Sequence, residues 1–226
     1  MRAMILAAGR GERLQPLTDH TPKALIDVNG KPLLQWHLEN LARAGFREII
    51  INLAHLGEQI EAFAGNGDRW GINIHYSRES EALETGGGIF KALPLLGDSA
   101  FLVINADIWT DYPLYKLRNH HCSHAHLVMV PNPEHNPEGD FYLNHGLIKA
   151  DTASSPADKL TFSGIGIYHP KLFAASSAGK YSLVPLLKTA MVAAKVTGEV
   201  FHGHWYDSGT RKRLELLRKK VAAVHQ

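Results

Sequence analysis

Up to Val130 the chain alternates short apolar runs with stretches of helical period: AMILAA, PLLQWHLENLARAG, REIIINL, LGEQIEAFA, INIHYS, GGGIFKALPLL and FLVINADIW follow one another. No other feature constrains the fold as much. Strand and helix repeated in this order imply right-handed crossovers, because a twisted strand feeding a right-handed helix packs back onto its sheet in one hand. The expectation is an α/β fold, a mostly parallel mixed sheet with helices on both faces. Pro32 suits the first turn of the first long helix, and Gly45 the position just past its end. After Val130 the texture changes to PNPEHNPEGDFYLNHGLIKADTASSPADKLTFSGIGIYHP, which has turn residues and short strands but no helical period. This stretch is expected to form a loop-rich small β excursion over the sheet's edge. SLVPLLKTAMVAAK, a strand near VTGEVFHGHWYD and a helix from about Thr210 to Val224 follow.

With 226 residues, 45% of them hydrophobic, and no internal repeat or low-complexity tract, residues 1–226 are expected to fold as a single domain around one core. The 24 Lys and Arg nearly balance the 22 Asp and Glu, leaving a formal charge of +2. That is too small a field to draw in nucleic acid or an anionic membrane surface, so any anion site must be local. The single cysteine, Cys122, excludes an internal disulfide, and no apolar run approaches the roughly 20 residues needed to span a bilayer. The start MRAMILAAGRG reads poorly as a signal peptide. A cytoplasmic location is therefore expected.

The first strand opens into LAAGRGERLQPLT. A dinucleotide fingerprint would need a third glycine where Leu14 stands, and no Lys-Ser or Lys-Thr completes a Walker loop. What remains is a strand ending in Ala7, Ala8 and Gly9, with exposed amides, then Arg13 and Lys23 within one long loop. Main-chain N–H groups, a guanidinium and an ammonium make a cradle suited to a polyphosphate; the alternative is a merely tight turn. A second signal is FLVINADIWTD, which sets Asp107 at the carboxyl edge of the sheet, where such folds bind ligands. In HGHWYDSGT, Asp207 either serves the start of the last helix or joins Asp107 around Mg²⁺, which takes hard oxygens and usually one or two protein carboxylates.

LAAGRGERLQPLTDHTPKAL resembles the signature loop of the sugar-1-phosphate nucleotidylyltransferases, G-x-G-x-R-L-x-P-L-T followed by P-K, and Asp107, LETGGGI and Asp207 recur in the family's order. The resemblance covers essentially the whole chain. It implies a Rossmann-like nucleotidyltransferase fold whose excursion serves the sugar. It also implies an enzyme that joins UTP to a sugar 1-phosphate, N-acetylmuramate α-1-phosphate being the expected acceptor, with release of pyrophosphate. By that resemblance Ala8, Gly9, Gly11, Glu12 and Arg13 would hold the nucleotide phosphates, and Lys23 would neutralise charge near the attacked phosphorus. Asp107 and Asp207 would hold Mg²⁺. Glu79, Glu84 and Gly86 would lie at the nucleoside, the Gly86–Gly88 run letting backbone approach it or serving only a helix entry. Asn105, Asp140 and Ser163 would face the sugar, unless Asn105 only finishes its strand. Because a phosphate monoester has its second pKa at about 6, no general base is needed.

Three features depart from the family's pattern: Ala106 and Glu84 stand where many members have glycine, and no Glu-Lys-Pro segment appears between Gly146 and Ser163. Glu79 occupies the place of a base-reading glutamine. An ionised carboxylate only accepts hydrogen bonds, so by side-chain chemistry it would suit guanine, and mannose-1-phosphate guanylyl transfer is the alternative within the family; Glu79 could equally face solvent. A non-catalytic nucleotide-sugar sensor is the alternative from another class. HHCSHAH offers His121, Cys122, His124 and His126, too tightly spaced for an expected zinc site. TRKRLELLRKKV is expected to pack one apolar stripe and solvate the rest. Many members continue into a β-helix of hexapeptide repeats; none is present here, and a monomer or small homo-oligomer is expected.

Overall fold

In the computed structural model, which describes residues 1–150 and 159–224, the alternating pattern becomes alternating layers. The chain runs β1 (Ala3–Leu6), a short pair β2 (Asp27–Val28) and β3 (Lys31–Pro32), α1 (Leu33–Arg43), β4 (Glu48–Leu53), α2 (Gly57–Ala64), β5 (Asn73–Arg78), α3 (Glu84–Leu96) and β6 (Phe101–Asn105). It continues through β7 (Ile108–Thr110), β8 (Ala125–Val130), β9 (Tyr142–Asn144), β10 (Leu147–Lys149), β11 (Thr161–Tyr168), α4 (Val184–Val192), β12 (Val196–Val200), β13 (Trp205–Asp207) and α5 (Arg211–Val224). Nine strands form one mixed sheet in the order β5-β4-β1-β6-β11-β8-β12-β10-β9. The first four are parallel, and β11 reverses direction between β6 and β8.

Strand side chains alternate faces, and every other residue joins a different core. Ala3, Ile5, Ile49, Ile51, Leu102 and Ile104 pack with Leu34, Leu38 and Ile60 of α1 and α2. Met4, Ile50, Phe101 and Val103 pack on the opposite face with Ile89 and Ala92 of α3 and Leu187 of α4. The strands are apolar throughout because both faces are covered. A third cluster seats α5 through Leu214, Leu217 and Val221 on Leu14, Val28, Trp36 and Trp109, whereas Leu216 is exposed.

The expected edge excursion is corrected in one respect. Its last strand, β11, is central, and only β9 and β10 lie at the sheet's edge; residues 151–158 of that stretch lie outside the described residues. A bulge between Phe162 and Ile165 lets β11 fit between its neighbours. Ser163 closes it by donating to the Val128 carbonyl at 2.7 Å and accepting from the Ile165 N–H at 3.2 Å. Gly164, at φ +80°, leaves room for Asn105, whose Nδ2 would stand 2.7 Å from a Cβ. Among the described residues no helix is long and apolar enough to cross a membrane.

Candidate active site

Because β1, β4 and β6 are parallel neighbours, their carboxyl ends meet at one edge of the sheet, and a cleft of about 670 Å³ opens there. The loop after β1 forms one wall. Gly11 is left-handed at φ +70°, and a Cβ there would lie 3.0 Å from Thr18, so the tight turn requires glycine. Thr18 Oγ1 donates to the Gly11 carbonyl at 2.9 Å. Leu14, which spoils the dinucleotide fingerprint, is fully buried in the α5 cluster and anchors the loop from below. Ala8, Gly9, Gly11, Glu12 and Arg13 all line the cleft, as do Lys23, Glu84, Asn105 and Asp107.

On the floor, the Lys23 ammonium contacts Asp107 Oδ2. Behind them, burial pushes His37 down to about 4, outweighing the Asp107 charge that favours its protonation. The ring is neutral near pH 7, and Lys23 supplies the positive charge at that carboxylate.

Asp207 comes beside the Asp107 turn from far along the chain, but it is Gly209 and not Asp207 that lines the cleft. It sits opposite Ile108 in the β13–β7 pair, and Ser208 donates from both N (2.8 Å) and Oγ (2.9 Å) to the Asp107 carbonyl. The Asp207 carboxylate itself accepts from the Gly209 N–H at 2.9 Å, pairs with Arg213 Nε of α5 at 3.2 Å, and meets His135 Nε2 at 2.9 Å. It tethers α5, while its neighbour Gly209 lines the cleft.

Four expected contacts are relocated. Glu79 is buried, and its carboxylate accepts from Asn52 Nδ2 at 2.7 Å and from the Leu83 N–H at 2.9 Å. Asn52 Oδ1 accepts in turn from the Ala7 N–H at 2.9 Å. Glu79 thus braces the wall formed by the loop after β1 through Asn52, which does line the cleft, and both of its oxygens are engaged inside the protein. Gly86 is covered by Tyr181, whose ring a Cβ would meet at 2.6 Å, so it serves packing rather than nucleoside approach. Ser163 is spent inside the β11 bulge. Asp140 Oδ2 accepts the Phe162 N–H at 2.8 Å, and its Oδ1 accepts from Asn136 at 3.2 Å; it staples the excursion to β11 because the bulge leaves that N–H in need of an acceptor.

Sequence reasoning passed over Asn52, Thr85, Arg10 and Lys180, all on the cleft. Asn52 was detectable as a polar residue directly after the apolar run Ile49–Ile51 of β4; Lys180 carried no signal. In the His-rich segment, the His120 and His126 rings lie 3.9 Å apart between centroids, tilted by 39°, and burial raises the Cys122 thiol to about 11. No group of three or more His, Cys, Asp or Glu side chains among the described residues is arranged to hold a metal ion.

The chain is similar to known proteins. The chain is 49% identical over 227 residues to the N-acetylmuramate alpha-1-phosphate uridylyltransferase of Neisseria meningitidis serogroup B, covering 95% of this chain and 96% of that one. The protein of the same name from Caulobacter vibrioides is 33% identical over 221 residues, covering 92% and 91%. A crystal structure of a Bacillus anthracis protein described as a glucose-1-phosphate thymidylyltransferase superposes with a TM-score of 0.85 over 97% of this chain and 94% of that one, at 20% identity, and so speaks to the fold alone. With the nucleotidyl transferase family model matching residues 2–223, this chain belongs to the nucleotidyl transferase family.

Proposed function

We propose that the chain transfers a uridylyl group from UTP to a sugar 1-phosphate, N-acetylmuramate α-1-phosphate, and releases pyrophosphate. The observation that carries the chemistry is the convergence of the Gly9–Arg13 loop, Lys23 and Asp107 on one cleft. Similarity to two relatives of that name, over nearly the full length of both partners, supports the choice of substrates. The physical case for guanine rested on a base-reading Glu79 carboxylate, and that carboxylate is turned into the protein.

Asp107 fits a divalent cation as it stands, whereas both Asp207 oxygens are engaged by Gly209, Arg213 and His135. Asp107 keeps Oδ1 clear of partners among the described residues and lines the cleft, and the Ser208 bonds hold Asp207 next to it along the chain ladder. These are hard oxygens, the kind Mg²⁺ takes alongside water and phosphate. Asp107 would hold the ion, joined by Asp207 if its oxygen gives up the His135 and Arg213 contacts, and when bound the ion would supply charge neutralisation for the transferring phosphoryl group.

The remaining work falls to the protein. The loop amides and Arg13 hold the β and γ phosphates and take up the charge that grows on pyrophosphate as its bond to the α-phosphorus breaks. Lys23 neutralises charge at the attacked phosphate. An oxygen of the already ionised acceptor phosphate forms the new P–O bond, so no residue needs to remove a proton. Catalysis is positioning plus charge stabilisation. A UDP-sugar of this kind would serve peptidoglycan recycling in the cytoplasm, with residues 1–226 acting as one catalytic domain.

Purified protein is incubated with UTP or GTP, a panel of sugar 1-phosphates and Mg²⁺, and pyrophosphate is measured. Fastest release with UTP and N-acetylmuramate α-1-phosphate is expected. Preference for GTP with mannose 1-phosphate would move the enzyme to guanylyl transfer, and no release from any pair would leave a nucleotide-sugar sensor.

A further inference from the structure

The buried side chains of α1 are Leu33, Leu34, Trp36, Leu38 and Leu41, and among them stands one imidazole, His37, only 2% exposed. Burying an imidazole costs more than burying a leucine unless its nitrogens find partners. Its partners flank Asp107 on both sides: the ring hydrogen-bonds with the main chain of Ala106 and of Ile108.

Packing sets the same two segments against each other. Trp36, next to His37, meets Trp109, two residues past Asp107, edge to face at 6.1 Å between ring centroids, and both belong to the cluster that seats α5. Elsewhere the Asp107 turn is held by the Ala106 N–H, which donates to the Leu6 carbonyl at 3.1 Å, and by Ser208, which donates to the Asp107 carbonyl. His37 adds an anchor from the α1 side, and it grips both neighbours of the carboxylate at once. A leucine would fill the volume without either bond.

A carboxylate that meets a cation must be held to within about 0.5 Å of its working position, and the groups behind the ligand do that holding. We propose that His37 is a positioning residue for Asp107. Buried behind the cleft, it acts through the Ala106 and Ile108 main chain, fixing the direction in which the Asp107 carboxylate enters the site. This assignment rests on the nucleotidyl-transfer function above, with Asp107 as the cation's ligand.

The test compares His37→Leu with His37→Asn and His37→Gln, whose amides come near the Nδ1 and Nε2 positions respectively. Electron paramagnetic resonance follows Mn²⁺ binding to the free protein, and pyrophosphate release gives kcat and the UTP KM. His37→Leu is expected to weaken Mn²⁺ binding and to lower kcat, each about 10-fold, with the UTP KM within about twofold of wild type and the urea midpoint retained. One of the two amides should bring both values back to within about threefold of wild type. The assignment is overturned by unchanged Mn²⁺ affinity and kcat in His37→Leu, by a loss that neither amide recovers, or by a wild type that binds no Mn²⁺; in each case wild-type pyrophosphate release leaves the function standing. Where His37→Leu fails to fold, the amides carry the test: Mn²⁺ affinities that differ between them support the assignment, and equal ones overturn it. A wild type that binds Mn²⁺ but releases no pyrophosphate overturns the function, and the Mn²⁺ titrations still decide the positioning role.

Discussion

Replacing Glu79 with glutamine tests whether that side chain braces the site or reads the base. The carboxylate accepts two hydrogen bonds, from Asn52 Nδ2 at 2.7 Å and from the Leu83 N–H at 2.9 Å. Glutamine has one acceptor oxygen and one donor amide, so one contact must become donor against donor. Flipping Asn52 does not rescue it, because Asn52 Oδ1 already accepts from the Ala7 N–H at 2.9 Å and a flip would move the conflict to the loop after β1. The site is buried, and an unsatisfied buried donor costs about 1–3 kcal/mol. At about 2–4 °C per kcal/mol for a chain of this size, Glu79→Gln should lower Tm by roughly 4–8 °C if the cost is about 2 kcal/mol. Urea unfolding measures the stability change, and the ratio of kcat/KM for UTP and GTP measures base choice. Stability should fall and the ratio should hold. A tenfold shift in that ratio at unchanged stability would refute the bracing role.

Asp107→Asn keeps the side-chain size but removes the charge that faces Lys23; turnover should fall by about 100-fold or more at retained folding, checked by pyrophosphate release and circular dichroism. Gly87→Ala forces a methyl against the Gly179 carbonyl at 2.1 Å and should cost about 1–3 kcal/mol in urea unfolding, the range for overpacking. His126 packs against His120, with Glu199 and Thr197 facing it, and burial lowers its pKa to about 4 from the ordinary 6.5. The unfolded chain therefore binds the proton more readily between those values, so stability is full above pH 6.5 and is lost as pH falls toward 4. Unfolding titrations across that window should show the loss in wild type and a flatter profile in His126→Leu; equal profiles would exclude His126 as the cause.

The α/β class and the order of β1 to β6 were legible in the sequence because local periodicity decides them: apolar runs long enough for a buried strand alternate with helical stripes. The same holds for the loop after β1, where glycines, Arg13 and Lys23 lie close together, and for Asp107, whose position at a strand end is a local property. Tertiary structure decided the rest, because those features depend on residues far apart in the chain. Whether SGIGIY ran at the edge or through the centre depended on which strands its glycines allowed it to fit between. Glu79 was a correctly noticed acid whose direction was set by Asn52 and Leu83. Asp207 meets the Asp107 turn only through the β13–β7 pair, and Lys180 enters the cleft only because two glycines in α3 admit its backbone. Periodicity in one dimension fixes which face a residue takes within its own element; which distant side chain completes a hydrogen bond or a pocket is settled when the elements pack.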